Sequence, residues 1–298
     1  MNPAVSLTGI IASVAIGAAI LVAGSTESLS VYNLPLFALC GAIGFILHWA
    51  IFIPSYLFKT EHYFDLTGSI SFITTVIVAL VLSPQLDIRD IVIGAMVAIW
   101  ALRLGSFLFW RVKKQGKDNR FNVMKTQFLW FLMTWTLGGL WVLVTFAAGL
   151  AAITSATDKP LGLVGLLGIG LWLFGMFVEV LADHQKTQFR ANADNADKFV
   201  NTGLWAWSRH PNYFGEIVLW LGVSLVALPV LSGWQLATMI SPIFVYILLT
   251  KVSGITLLER RGMSKWGSDP AYKGYLESTP ILILRPPDPV KWISCDGL

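Results

Sequence analysis

The sequence predicts an all-α fold, a polytopic bundle of seven or eight transmembrane helices with both termini on the cytoplasmic side. Hydrophobic residues make up 55% of the 298 residues and charged residues only 13%, whereas soluble domains carry roughly 25% charged residues. Several uninterrupted apolar runs reach the roughly 20 residues that a helix needs to cross a bilayer. The basic residues between these runs collect on one side, as the positive-inside rule requires.

Eight apolar runs predict the individual helices. They cover residues 4–24, 35–58, 66–83, 89–110, 127–153, 160–182, 212–232 and 234–252. No basic residue precedes the first run and similar runs follow it, so we expect a retained helix rather than a signal peptide. Pro229 and Pro242 are expected to kink the last two helices, which only Ser232 and Gly233 separate.

The positions of Lys and Arg orient the bundle. Basic residues cluster in the loop near 111–126, in the loop near 183–211 and in the tail after 251, whereas the opposite side has only Arg89 and Lys159. We therefore place these loops and both termini in the cytoplasm, and we attribute the net charge of +4 to this asymmetry rather than to nucleic-acid binding. The membrane would be the inner membrane of a bacterium or the endoplasmic reticulum of a eukaryote.

A polar stripe follows the sixth run. If the helix continues beyond the run, Glu179, Asp183, Lys186 and Arg190 lie along one face. In one interpretation this is a solvated helix end with Glu–Lys and Asp–Arg pairs. In the other, Lys186 and Arg190 bind phosphates while Asp183 accepts hydrogen bonds from a ribose or a base.

A second polar group lies where the next apolar run begins. Within eight residues the chain places Arg209, His210, Asn212, Tyr213 and Glu216. Pro211 suits the first turn of a helix, and Gly215 would let a ligand or another helix approach closely. An acid near a helix start and aromatic residues at an interface are common without any ligand. The convergence of Arg, His, Asn and Glu at one membrane entrance nevertheless favours a ligand-binding site.

Two further polar segments are candidates. Glu61, His62 and Tyr63 could donate protons at the mouth of a cavity, while Asp65, Thr67 and Ser69 are expected to cap the third helix. The tail from 251 to 280 is either a second wall of the site or a basic helix on lipid headgroups. The four histidines lack metal-ligand spacing, and no Gly-x-Gly-x-x-Gly motif occurs, so helices must hold any cofactor.

The longest recognisable motif is Gly203-Leu-Trp-x-x-Ser-Arg-His-Pro-Asn-Tyr-Phe-Gly-Glu. It resembles the C-terminal signature of the steroid 5-alpha-reductase superfamily, and most closely its bacterial and plant branch of largely uncharacterised membrane proteins. Supporting segments are Phe64-Asp-Leu-Thr-Gly-Ser, Lys117-Asp-Asn-Arg-Phe, Ala182-Asp-His-Gln-Lys-x-x-Phe-Arg and Ser253-Gly-Ile-x-Leu-Leu-Glu259. The Arg-His-Pro-x-Tyr-x-Gly core also resembles that of isoprenylcysteine carboxyl methyltransferases and sterol C14 reductases.

The resemblance implies a membrane reductase that holds NADPH in the cytoplasmic half of the bundle and takes a lipophilic enone from the bilayer. Carried over by motif, Asp183 and Arg190 would contact the nucleotide part of NADPH. Asn212 and Glu216 would contact its ribose and nicotinamide end. Lys186, Arg209, His210 and Tyr213 complete the set of candidate cofactor-binding residues.

The substrate half of the superfamily pattern is missing. Steroid reductases place a Gln-Glu pair before a Pro-Ser in the second span, and a Tyr in a later span, to polarise the substrate ketone. Alignment on Pro54-Ser55 puts Ile51 and Phe52 at the acidic pair, and alignment on Arg103 puts Trp100 near the Tyr. A proton donor would therefore come from Tyr56, Glu61, His62, Tyr63 or Asp65, and the candidates we select are Glu61, His62 and Tyr63.

The sequence thus predicts one integral membrane domain with a functional division. Residues 1–125 form the substrate side, 126–280 the cofactor-binding part and 281–298 an extended tail. The predicted function is NADPH-dependent reduction of a carbon–carbon double bond in a steroid-like, isoprenoid or enone lipid. Two alternatives stay open: an S-adenosylmethionine-dependent methyltransferase of the isoprenylcysteine type, and a lipid-binding membrane protein without activity.

Overall fold

The structure is a computed structural model that describes residues 1–115 and 121–287, with the backbone alone between 109 and 115. The chain within these ranges is built from helices, which confirms the all-α prediction. They are α1 (Pro3–Ser25), α2 (Leu36–Gly41), α3 (Ile43–Leu57), α4 (Phe64–Leu82), α5 (Ile88–Gln115), α6 (Phe128–Ile153), α7 (Leu163–Ala191), α8 (Pro211–Ala227), α9 (Ser241–Ile247), α10 (Ile255–Trp266) and α11 (Pro270–Ser278). A small hairpin of β1 (Ser30–Val31) and β2 (Leu34–Pro35), which the apolar pattern does not predict, lies between α1 and α2.

Eight helical segments of the described chain are long and apolar enough to cross a membrane. This confirms a multi-pass integral membrane protein with the predicted number of spans. The second span is divided, because α2 ends at Gly41 and α3 begins at Ile43. α7 is longer than its apolar run and continues to Ala191, which confirms that the polar stripe is helical.

The last two spans differ most from the prediction. α8 ends at Ala227 and a 3₁₀ turn follows, so Pro229 terminates the helix instead of kinking it. The run 234–252 is not one α-helix but a 3₁₀ segment (Gly233–Ile240), α9 and a π segment (Leu248–Val252). Pro242 explains the first change: it has no N–H for the carbonyl of Thr238, which accepts from Ser241 instead.

The start of α4 corrects the expected capping. α4 begins at Phe64, with Tyr63 at the N-cap and no side-chain capping bond, so Asp65, Thr67 and Ser69 do not cap it. Because the helix begins earlier than its apolar run, Thr67 lies inside it and its hydroxyl donates to the Tyr63 carbonyl at 2.7 Å. Asp65 remains in the first turn, where its charge complements the helix dipole.

The chain forms two compact units. Unit 1 comprises Met1–Gly168 and Val223–Ser241, and unit 2 comprises Ile169–Gly222 and Pro242–Leu298. In unit 1, α6 is the central helix, with α1, α3, α4 and α5 packed against it. Its last turns are buried all round, as expected for a helix surrounded by other helices.

Arg89 has a structural role in unit 1. Its side chain is buried, and its guanidinium donates to the carbonyls of Lys159 at 3.1 Å and Pro160 at 2.9 Å, and also to the carbonyl of Val226. A buried guanidinium needs such acceptors. Arg89 therefore connects three segments of unit 1. This structural role accounts for the buried charge without a functional site.

Candidate functional site at the ends of α7 and α8

In unit 2, α7 and α8 cross at Gly175 and Gly215. A Cβ on Gly215 would lie 2.6 Å from the carbonyl oxygen of Gly175 and 2.7 Å from the backbone nitrogen of Glu179. A Cβ on Gly175 would lie 2.5 Å from the carbonyl oxygen of Gly215. The sequence left open whether Gly215 admits a ligand or a helix, and the structure answers that it admits a helix.

This crossing brings the first turn of α8 beside the polar end of α7. α8 begins at Pro211, as predicted. The Nδ2 of Asn212 donates to the Oδ1 of Asp183 at 3.3 Å, a long hydrogen bond. Asp183 is buried and Asn212 half-buried. Two of the predicted cofactor residues are therefore in direct contact.

Arg209 and His210 share one carboxylate, that of Glu259 on α10. The Nη1 of Arg209 donates to Oε2 at 2.6 Å, and the Nε2 of His210 lies 2.9 Å from Oε1. The side chains of Arg209, His210 and Glu259 are 11%, 6% and 26% exposed. Because both oxygens of Glu259 are engaged, the orientations of both basic side chains are fixed.

The surroundings of His210 favour its neutral form. Burial lowers the pKa of His210 below its ordinary 6.5, and the hydrogen bond and charge of Glu259 oppose this shift only in part. Because a carboxylate only accepts hydrogen bonds, the proton belongs on Nε2. The ring stacks on Tyr213 with a centroid distance of 5.7 Å and an interplanar angle of 10°.

The polar stripe of α7 continues from Asp183 to Lys186 and Arg190. The Nζ of Lys186 lies 4.6 Å from the ring centroid of Trp205, a cation–π contact. Trp205 is fixed in turn, because its Nε1 donates to the Ala182 carbonyl at 3.0 Å. Arg190 is exposed in the last turn of the helix. The stripe thus ends in two basic side chains, one of them held by an aromatic ring.

The turn before the motif requires its glycine. Gly203 has a φ of +61°, a left-handed conformation that glycine adopts at little cost. A Cβ there would also lie 2.6 Å from the Gln185 side chain. Gln185 holds the turn, because its Oε1 accepts from the backbone of Leu204 at 2.9 Å.

Residues 280–285, which we call the tail strap, run along residues 207–209. The backbone N–H of Arg209 donates to the carbonyl of Pro280 at 2.9 Å, and that of Arg285 donates to the carbonyl of Trp207 at 3.0 Å. The buried hydroxyl of Ser208 donates to a strap carbonyl at 2.9 Å. The predicted tail 281–298 is thus bonded to the motif over its first residues; residues 288–298 lie outside the described chain.

Aromatic residues join the tail helices to the same motif. The ring of Phe199 packs against Trp266, Tyr272 and Tyr275, with centroids 6.0, 5.0 and 5.4 Å away. The hydroxyl of Tyr275 donates to the Trp205 carbonyl at 2.7 Å, and burial raises the pKa of Tyr275 above its usual range. Of the two interpretations of the tail, its contacts within unit 2 favour a wall of the polar cluster.

The remaining predicted residues are more dispersed. Glu216 is half-buried on α8, one turn after Asn212. Glu61, His62 and Tyr63 belong to unit 1. The buried Glu61 carboxylate accepts from Lys125 at 2.7 Å, whereas His62 and Tyr63 are exposed.

Glu259 is the site residue that the sequence analysis does not single out. It appears there only as the last residue of the Ser253–Glu259 motif. The two basic residues that follow it, Arg260 and Arg261, are equally typical of a basic surface helix. Its partner Arg209 lies 50 positions earlier, which no local pattern reveals. The segment Lys117-Asp-Asn-Arg, quoted for the resemblance, lies outside the described residues.

The fold and this cluster define a multi-pass membrane protein with a polar, partly buried site at the ends of two crossing helices. A family model described as "Protein of unknown function (DUF1295)" matches residues 51–279. The chain belongs to this family. The matched range contains every residue of the cluster from Asp183 to Glu259.

The chain is also similar to 3-oxo-5-alpha-steroid 4-dehydrogenase 1 of several mammals. The human protein is 39% identical over 62 residues, which are 21% of this chain and 24% of the human protein. The Rattus norvegicus protein is 29% identical over 118 residues, 40% of each chain. The matches thus span less than half of these relatives. They confirm the resemblance to the steroid 5-alpha-reductase superfamily, and no solved structure matches.

Proposed function

We propose that the protein is a membrane-embedded, NADPH-dependent reductase of an activated carbon–carbon double bond in a lipophilic substrate. The observation that carries this proposal is the polar cluster of unit 2, in which Asp183 meets Asn212 while Arg209 and His210 share Glu259. Similarity to 3-oxo-5-alpha-steroid 4-dehydrogenase 1 supports the reaction class. Steroid-like, isoprenoid and enone lipids are the substrate classes to test.

The chemistry of the cluster fits a dinucleotide phosphate. Lys186, Arg190 and Arg209 are of the side-chain types that bind phosphates. The Nε of Arg209 is buried and has no hydrogen-bond partner among the described residues, so it is a donor that a ligand could use. Asp183 and Asn212 add an acceptor and a donor for hydroxyl and amide groups.

The positions of these residues suggest how a bound cofactor would be oriented along α7 and α8. Asp183, Lys186 and Arg190 would bind the nucleotide part from α7. Asn212 and Glu216 would bind the ribose and nicotinamide end from α8. Arg209, His210 and Tyr213 would lie beside them, with the imidazole of His210 fixed by Glu259 and stacked on Tyr213.

Saturation of the double bond requires a hydride and a proton. NADPH supplies the hydride when bound, and a side chain must deliver the proton to the other carbon or to an activating carbonyl. Glu61, His62 and Tyr63 are the proposed donors. The ion pair with Lys125 makes Glu61 the least suitable of the three, since an ionised carboxylate has no proton to give.

The proposal includes a division of labour along the chain. Residues 1–125 would bind the substrate, and residues 126–280 would bind the cofactor. The cofactor candidates all belong to unit 2 and the proton-donor candidates to unit 1. Residues 126–168, which include α6, also belong to unit 1, so the units and the proposed division coincide only in part.

NADPH binding by the purified protein in lipid nanodiscs tests the site. Asn212→Ala and Glu216→Ala should each weaken NADPH binding about tenfold, which corresponds to about 1.4 kcal/mol, because each removes a polar group that the cofactor would contact. Glu277→Ala, which removes an exposed carboxylate from α11, is the matched control and should bind normally. Unchanged affinity in both test variants would exclude this assignment.

Titration of S-adenosylmethionine against the same preparation separates the alternatives. Binding of S-adenosylmethionine without NADPH binding, weakened by Asn212→Ala, would identify a methyltransferase instead. Binding of neither compound would favour a lipid-binding membrane protein and would contradict the proposed reductase.

A further inference from the structure

Unit 1 contains a cavity of about 310 Å³ between α3 and α4. Its lining comes from one face of α3, the connecting loop and the first two turns of α4, between Leu47 and Ile70. This volume is at the lower end of the roughly 300–1,000 Å³ of small-molecule pockets. The exposed side chains of Phe58 and Tyr63 lie at its edge, so a ligand has access to it.

The cavity lining is apolar and uncharged. None of the ten described residues that line it is Asp, Glu, Lys, Arg or His. Ile51, which alignment on Pro54-Ser55 places at the Gln of the Gln-Glu pair of the steroid reductases, is one of them. A carboxylate or phosphate inside this cavity would lose its hydration without gaining a partner. The lining therefore selects neutral ligands.

One buried hydroxyl in the lining is unused. Ser55 is 1% exposed, and its Oγ makes no hydrogen bond with any described residue. The other two hydroxyls on aliphatic side chains of the lining are engaged: that of Thr60 with His62 at 2.9 Å and that of Thr67 with the Tyr63 carbonyl at 2.7 Å. A buried hydroxyl without a partner is costly, so Ser55 retains a donor for an incoming group.

The other buried helical hydroxyls of unit 1 show what is particular to Ser55. Ser71 donates to the carbonyl four residues earlier at 2.7 Å, and Thr136 does so at 2.9 Å. This local bond is the usual solution for a buried Ser or Thr in a helix. Ser55 does not use it, and neither do three other buried hydroxyls on helices of unit 1, those of Ser6, Thr75 and Thr145. Of these four residues only Ser55 lines the cavity.

We propose that this cavity binds a neutral lipophile through a hydrogen bond from the Ser55 hydroxyl to a carbonyl oxygen of the ligand. Under the proposed function, on which this step rests, the ligand is the substrate and the oxygen is the ketone of an enone. Ser55 would then bind the ketone oxygen, which a Gln-Glu pair and a Tyr polarise in steroid reductases. Free fatty acids and phospholipid headgroups are excluded from the cavity by their charge.

Binding of tritiated geranylacetone, a neutral isoprenoid ketone, tests the proposal by scintillation proximity on the full-length protein in nanodiscs, with empty nanodiscs as background. Competition with the parent hydrocarbon, which lacks the oxygen, measures the contribution of the carbonyl. We expect the wild type to prefer the ketone about tenfold. Ser55→Ala should abolish this preference, and Ser55→Thr, which keeps the hydroxyl, should retain it.

Three further variants control for general damage. Ser71→Ala removes a buried hydroxyl that is already bonded within its helix and should retain the preference for the ketone. Ile70→Trp fills the cavity and should abolish binding of the ketone, whereas Ile77→Trp, at an exposed position of the same helix outside the lining, should not. Equal affinity for ketone and hydrocarbon in the wild type, or an unchanged preference in Ser55→Ala, would overturn the proposal.

NADPH titration of the same variants separates this inference from the proposed function. Ser55→Ala should bind NADPH as the wild type does. If the protein binds NADPH but shows no Ser55-dependent preference, the lipophile site is wrong and the reductase proposal stands. If Ser55 governs ketone binding but NADPH does not bind, the lipophile site stands and the reductase proposal fails.

Discussion

Among single residues, Glu259 determines the geometry of the cluster more than any other. It is half-buried, and its two oxygens bind Arg209 at 2.6 Å and His210 at 2.9 Å. Arg209 and His210 lie immediately before α8, and their backbones alone would leave the side chains free to rotate. One carboxylate from α10 therefore orients both basic groups.

Glu259→Gln should destabilise the protein by about 2 kcal/mol, because an amide offers one acceptor and places a donor against Arg209 or His210. Thermal unfolding followed by tryptophan fluorescence measures the change. Glu277→Gln, the same substitution at an exposed position of α11, should unfold like the wild type. Equal melting temperatures for the two variants would mean that the Arg209–Glu259–His210 contacts add little to stability.

The sequence predicts site residues where they lie close together in the chain. Arg209, His210 and Asn212 are found by their proximity and by their position at a membrane entrance. Glu259 is not found in this way, because its contact with Arg209 depends on how a segment 50 residues later in the chain folds. For the same reason, the sequence does not reveal that the Ser55 hydroxyl makes no hydrogen bond with any described residue.

Among the helices, the crossing of α7 and α8 is the contact on which the candidate cofactor site depends. Apolar runs predict both helices, and the polar stripe correctly predicts that α7 continues past its run. The point of crossing cannot be predicted, because glycines also occur at open positions such as Gly170, where a Cβ would meet nothing within 4 Å. Pro242 likewise breaks a run that hydropathy alone predicts as one helix.

Gly215→Ala should push α7 and α8 apart, since the added Cβ would meet backbone atoms at 2.6 and 2.7 Å. We expect a loss of about 1–3 kcal/mol of stability together with weaker NADPH binding. Gly170→Ala on α7 is the control and should be neutral or stabilise the helix by up to about 1 kcal/mol. Similar effects of both substitutions would argue against a tight crossing at Gly215.

For the whole molecule, the question is which end of the bundle faces the cytoplasm. Eight helical segments of the described chain are long and apolar enough to span a membrane, whereas the orientation rests on the distribution of Lys and Arg. The polar cluster and most basic loop residues belong to the side predicted to be cytoplasmic. A soluble dinucleotide would reach the cluster only from that side.

Labelling of single introduced cysteines in intact bacteria that express the protein tests this orientation in a variant whose native cysteines are replaced. Gln85→Cys, in the loop between α4 and α5, should react with a membrane-impermeant maleimide added outside the cells. Lys273→Cys, on α11, should react only after permeabilisation, since the positive-inside rule places the tail in the cytoplasm. Both side chains are exposed, so accessibility within the protein does not limit the reaction. The reverse pattern would invert the predicted topology.

The tail strap has a consequence for biosynthesis. The backbone N–H of Arg209 donates to the carbonyl of Pro280, and the backbone N–H of Arg285 donates to the carbonyl of Trp207. These bonds join the loop before α8 to residues that are translated after all the described helices. While the ribosome is still adding α10 and α11, α7 and α8 can already be inserted, but the loop before α8 lacks Glu259, Tyr275 and the strap. The polar cluster is therefore completed only after residue 285 has been translated, and a nascent chain can have α7 and α8 in the membrane before it has its site.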